Sequence, residues 1–219
     1  MATKLHKLGR LVNHDPRSRG FASVVMPRPL VTTIWLRQGP IFDQGDLGSC
    51  TCESMCGILN TRPFQRNGVL YTQSDCVDLY SAATRLDKIA GEYPPDDTGS
   101  SGLAAAKAAH KRGWLRGYHH AFTLPQALSS LTRGPGMTGI NWYDSFDAPG
   151  SNGELVISPN ASIRGGHELE VSEIHVETRM IRGPNSWGDG WGNRGFWSMS
   201  WSTFDRLLSE QGDYTIPVL

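Results

Sequence analysis

Helical and strand-like patterning are segregated along this chain. That restricts it to folds in which a helical part and a sheet part are built separately and packed together. "CTCESMCGILN" sets Cys52, Cys56 and Leu59 on one side of a helix, and "SDCVDLYSAATRLDKIAG" puts Cys76, Leu79, Tyr80, Ala83 and Leu86 at helical spacing. Ser74 is the expected N-cap of the second helix, and Ser101 caps "GLAAAKAAHKRG", which Gly113 ends. Thr123 opens a short amphipathic helix, "LPQALSSLTRG". From Gly136 the pattern turns to strands: "GMTGINWYDSF", "GELVIS", "HELEVSEI", "TRMIRG" and "RGFWSMSW". "DAPGSNG" reads as a turn, and "SWSTFDRLLSEQG" as one late helix with a Ser202/Asp205 capping box. The order predicts an α+β fold with two lobes and a groove between them.

At 219 residues, with 38% hydrophobic content and a mean hydropathy of −0.36, the chain can bury a substantial core. No apolar run approaches the roughly 18 residues of a membrane span, and the basic N-terminus has no apolar block behind it. A reducing cytoplasmic location is expected. The net charge of zero is unevenly spread: residues 1–40 carry seven Lys/Arg against Asp15, while residues 140–180 carry seven acids against two arginines. A basic arm on an acidic body can fold back onto it or reach for a partner protein. Its basic residues are sparse and lack interleaved aromatics, which argues against nucleic acid.

Three of the four cysteines fall within "FDQGDLGSCTCESMCG". The C-x-C-x3-C spacing with a distant Cys76 does not match paired zinc knuckles, so no metal or other cofactor is expected, and Cys52, Cys56 and Cys76 read as buried reduced thiols. Cys50 differs because it follows a glycine-rich turn and opens a helix. Unsatisfied N–H groups and the helix dipole there favour a thiolate. Gln44, six residues earlier, can direct its amide to the same point and, with the Cys50 N–H, form a two-donor oxyanion hole.

A thiolate nucleophile needs a base, and the base an orienting group. In "RGGHELEV", His167, Leu169 and Val171 share one strand face and Glu168 and Glu170 the other, which turns Glu168 away from the imidazole. "GPNSWGDGWGNRGFWSMSW" packs four tryptophans and five glycines into 19 residues, and its Asn185 precedes Trp187 by two. An Asn carbonyl accepting the imidazole N–H, shielded by an indole, fixes the ring.

Together, "QGDLGSC", "GGHE" and "NSWGDGWGNRGF" resemble, in order and spacing, the three signature blocks of papain-like cysteine peptidases, from about Trp35 to the C-terminus. The resemblance implies a helical lobe (about 42–134) carrying Cys50 and an antiparallel, barrel-like β lobe (about 135–219) carrying His167 and Asn185, preceded by a basic arm (1–34). It implies Cys50 as nucleophile, His167 as ion-pair partner and general acid/base, Asn185 as orienter and Gln44 as oxyanion donor. Trp187, Gly99, Ser100 and Gly166 would contact a protein or peptide substrate. The compact pattern is most like bacterial and bacteriophage members, which would place the protein in host cytoplasm or a virion. Departures are Leu47 in place of a family cysteine, Thr51 after the nucleophile, and an acidic strand face at Glu168, Glu170 and Glu173, expected to be wet or covered by a partner. The competing expectations are a cell-wall peptide hydrolase and a virion-associated assembly protein with a masked site.

Overall fold

The structure is a computed structural model that describes residues 5–65 and 68–218; Lys4 and the rest of the arm's first four residues lie outside the described residues. In chain order the elements are β1 (Thr33–Ile34), α1 (Cys50–Leu59), α2 (Gln73–Thr84), α3 (Gly102–Lys111), β2 (Gly117–Ala121), α4 (Leu124–Leu131), β3 (Gly136–Tyr143), β4 (Ile163–Val171), β5 (Glu173–His175), β6 (Met180–Pro184), β7 (Phe196–Ser200), α5 (Trp201–Ser209) and β8 (Asp213–Val218). Among the described residues no helix is long and apolar enough to cross a membrane.

Every residue of α1 is buried, so it behaves as a central helix and not as an amphipathic one. On one side it packs with α2 and α3 around Cys52, Met55, Cys56, Ile58, Leu79, Tyr80, Ala83 and Ala105. On the other it lies against β4. Two four-stranded antiparallel sheets, ordered β2-β8-β3-β4 and β1-β5-β6-β7, build the second half. Their core includes Trp142, Phe146, Leu169, Val171, Trp197 and Phe204. Helix α4 packs here too, through Ala127, Leu128 and Leu131, although its sequence lies within the span expected for the helical lobe.

Local chemistry accounts for the shifted boundaries. Helix α2 starts at Gln73 because Thr72 accepts the Asp75 N–H while the Asp75 carboxylate takes the Thr72 N–H, so Thr72 and not Ser74 is the cap. Ser200 caps α5 by accepting from the Thr203 N–H, which replaces the expected Ser202/Asp205 box. Ser101 and Thr123 cap α3 and α4 as the sequence predicts. "GELVIS" forms one bridge, Glu154 to Ser198, and not a strand.

The acidic strand face is neither wet nor partner-covered: Glu168, Glu170 and Glu173 are all buried within this chain. Glu170 accepts from the Arg37 guanidinium and, at 2.6 Å, from the Thr61 hydroxyl. Glu173 is paired with Arg182 and with His175. Because a buried charge deprived of its partner is strongly destabilising, Glu170→Ala should cost about 3–5 kcal/mol of unfolding free energy by leaving Arg37 unpaired. Urea denaturation measures this, and a loss below about 1 kcal/mol would contradict the pairing.

Candidate active site

The N-terminal arm runs between α1 and α3 on one side and β4 on the other. The Ser100 N–H donates to the Gly9 carbonyl (2.8 Å), the Leu11 N–H to the Ser100 carbonyl (2.7 Å), and the Arg10 N–H to the Gly166 carbonyl (3.1 Å). The arm pairs in parallel with Ser100. The His6 ring stacks on Trp187 at 4.4 Å and 8°. Lys7 lies 3.4 Å from the Asp97 carboxylate. Backbone approach at the centre depends on glycine: a Cβ on Gly9 would sit 2.0 Å from the Gly48 carbonyl, and one on Gly99 would sit 2.4 Å from the Gly9 carbonyl.

All four residues read from the sequence as substrate contacts therefore touch the arm, and so does Gln44. Its Nε2 donates to the Lys7 carbonyl (3.3 Å) and the Leu47 carbonyl (2.7 Å), while its Oε1 accepts from the Ser186 hydroxyl (2.7 Å). A peptide carbonyl thus occupies one of the donors that the sequence assigned to an oxyanion.

Cys50 is the first residue of α1 and is completely buried. Burial pushes its thiol up to about 12, with the charges of Glu168 and Glu53 adding to the rise and backbone hydrogen bonds from Glu168 and Gly9 opposing it. Those backbone bonds set the sulfur beside the residue that follows His167 on β4. The helix N-terminus does not produce the expected thiolate, because burial desolvates the sulfur.

His167 is fixed on three sides. Its Nε2 bonds the Asn185 Oδ1 at 2.7 Å, an oxygen that also accepts the Ser186 N–H (2.7 Å). The ring lies 4.7 Å from Trp187 and 4.8 Å from Trp142, edge-on to the latter. Its Nδ1 is buried without a hydrogen-bond partner. Burial lowers the imidazole to about 3, against the Asn185 hydrogen bond, with Arg164 and His6 adding to the depression. The closed site therefore holds a neutral thiol and a neutral imidazole, not the expected ion pair.

Trp142 was not singled out in the sequence. The β3–β4 register pairs Ile140 with His167 and Trp142 with Gly165, which puts Trp142 diagonal to the imidazole on the same face. The alternation of "GINWY" carries that signal once the register is known.

No protein-family model matches the sequence, and no curated protein matches it. Solved structures do. Xylellain, a cysteine protease from Xylella fastidiosa, superposes with a TM-score of 0.76 at 16% identity over 96% of this chain and 95% of that one. Digestive procathepsin L 3 of the Tenebrio molitor larval midgut gives 0.70 at 17% identity over 90% of this chain and 73% of that one. A recombinant stem bromelain precursor gives 0.60 at 12% identity over 96% and 75%. The chain has the two-lobed papain-like fold.

Burial disfavours the charged form of either group, so the sign is opposite for the two: the imidazole sheds its proton early and the thiol keeps it late. In the intact chain His167 should stay neutral down to about pH 4, one unit above its value of about 3. Between about pH 3 and 6.5 an opened chain binds that proton and the closed one does not, so acid in this window favours opening. Imidazole NMR on wild type and on full-length Gly9→Leu, whose new side chain cannot share space with Gly48, tests this. The variant should titrate near the ordinary histidine value and its Cys50 should alkylate at pH 8, whereas identical behaviour in both proteins would disprove the sealing.

Proposed function

We propose that this chain is a papain-like cysteine endopeptidase held closed by its own N-terminal arm. The observation that carries the reading is that the arm is bound as a peptide, by the residues assigned to substrate: Ser100 and Gly166 through main-chain bonds, Gln44 through a carbonyl, Trp187 through a ring face. The structural neighbours support peptidase chemistry at the level of fold, and the fixed imidazole beside the Cys50 helix supports it at the level of residues.

With the arm displaced, water re-enters and the ionised forms of both groups become accessible. Cys50 gives its proton to His167 Nδ1 and attacks the substrate carbonyl carbon, and the carbonyl oxygen becomes an oxyanion held by Gln44 Nε2 and the Cys50 N–H. The imidazolium then protonates the departing amine as the C–N bond breaks, leaving a thioester. His167 next takes a proton from water, which attacks the thioester and releases the acid and the Cys50 thiol. Asn185 holds the ring in the tautomer that keeps Nδ1 available, and the Trp142–Trp187 cage keeps it from rotating.

Complete burial of Cys50 also suits a second reading, an assembly protein whose site stays masked. Hydrolysis of cell-wall peptides is the same chemistry on another substrate, separated by digesting purified peptidoglycan beside denatured protein.

Full-length Gly9→Leu should hydrolyse a denatured protein at least about tenfold faster than wild type, since access to the site is what the arm removes. On that background Cys50→Ala should be inactive, and Gln44→Ala should be slower by roughly 10²–10³. Normal hydrolysis by Cys50→Ala would end the assignment. Silence towards an electrophilic peptide probe with the arm unseated would favour the assembly reading.

A further inference from the structure

Beside the Cys50 helix lies a second feature that the proposed chemistry does not use. The Arg10 side chain leaves the arm and is buried in a pocket beside Gly139, Asp213 and Glu168. Its Nη2 donates to the Asp213 carboxylate (2.6 Å) and to the Gln211 carbonyl (2.8 Å). Its Nη1 is buried without a partner. Glu168 completes the site: it is wholly buried, neither carboxylate oxygen has a hydrogen-bond partner, and Asp213 repels its charge while Arg10 attracts it.

The body of the protein thus holds two carboxylates in one water-poor pocket. Among the described residues the only cation paired with Asp213 is Arg10, and Glu168 forms no salt bridge of its own. The pocket has room for such a cation because of two glycines. A Cβ on Gly139 would lie 2.5 Å from Arg10 Nε and 2.6 Å from Asp213 Oδ1, and one on Gly102 would lie 2.9 Å from Glu168 Oε1. The Arg10 side chain is only 1% exposed, so the guanidinium is enclosed where it lies. Gly9, the preceding arm residue, hydrogen-bonds towards Cys50, which puts the pocket within a residue or two of the reacting sulfur.

We infer that this pocket is a specificity site for a basic side chain of a peptide substrate, arginine above lysine, and that Arg10 is its built-in occupant. The inference rests on the peptidase reading for the word substrate, but not for the binding. Arginine is favoured because a guanidinium stays charged when buried, whereas a buried lysine ammonium gives up its proton readily; Arg10 Nη2 alone meets both Asp213 and the Gln211 carbonyl. Leucine or glutamate in the same place would leave both carboxylates buried with no cation.

The test uses full-length Gly9→Leu with two readouts. The first is binding, on the further variant Cys50→Ala, of a synthetic peptide of residues 5–14 and its Arg10→Leu form, by calorimetry. The arginine peptide should bind about 30-fold more tightly or better, as truncating one partner of a buried charge pair implies. Asp213→Asn should erase most of that difference. Equal and measurable binding of the two peptides to protein shown to be folded by circular dichroism overturns the inference. The second readout is cleavage of a peptide library by Gly9→Leu with Cys50 intact, expected to favour Arg and Lys over Leu and Glu at one position next to the cut bond. Cleavage indifferent to charge there overturns it as well. Selective binding without any cleavage would instead refute the peptidase reading and leave the pocket standing.

Discussion

Apart from Glu53, which is held by Ser49 and Gln73, the carboxylates buried in this core lie beside cations, and much of the architecture follows from how the chain supplies them. Glu168, Glu170 and Glu173 all lie inside. Arg182 on β6 serves Glu173, Arg37 serves Glu170, and Arg10 on the arm is the cation nearest Glu168 and Asp213. An uncompensated buried charge costs several kcal/mol, comparable with the whole stability margin of a domain. The arm is therefore part of the same electrostatic arrangement as the core, and its seat was laid down with the body's charges. Of the pairs that this arrangement contains, Arg37–Glu170 alone joins the basic first 40 residues to the acidic stretch 140–180.

The same exclusion of water governs Cys50 and His167. A helix N-terminus stabilises an anion by up to about 2 kcal/mol in favourable, partly buried geometry. Burial pushes the Cys50 thiol up to about 12, against the pull of the helix end. Desolvation wins, and Cys50 rests as a thiol. On the proposed peptidase reading, opening needs no rearrangement of the site's own residues, only the departure of a chain segment from over it.

What could be read in the sequence was whatever local chemistry dictates. The glycine turn before Cys50, the alternation that separates His167 from Glu168, and the caps at Ser101 and Thr123 all follow from spacing within a few residues. Strands β2 and β8 escaped notice because each finds its partner far away, Tyr118 opposite Pro217 and His120 opposite Thr215. The wetness expected of the acidic strand face was wrong for the same reason: the arginines paired with Glu170 and Glu173 come from 133 and 9 residues away in sequence. The arm's charge was legible, but its seat depends on Gly9 meeting Gly48 and Gly99, a contact no local pattern announces.

Tethering explains why modest contacts can hold such a seal. Past the cleft the chain stays anchored, with the Ser23 N–H on the His120 carbonyl and the Trp35 N–H on the Ser172 carbonyl, so residues 6–11 are never far from their site. At an effective concentration of about 1 mM, a segment with an intrinsic Kd of about 10 µM is docked in roughly 99% of molecules. A free peptide at micromolar concentration cannot compete with it. Cutting the tether changes that balance without touching a single contact in the cleft, because the released segment then binds only at its own dilute concentration. Between the anchors, Val24, Val25, Met26 and Val31 stand exposed, so the stretch that would have to be cut is also the one a protease can reach.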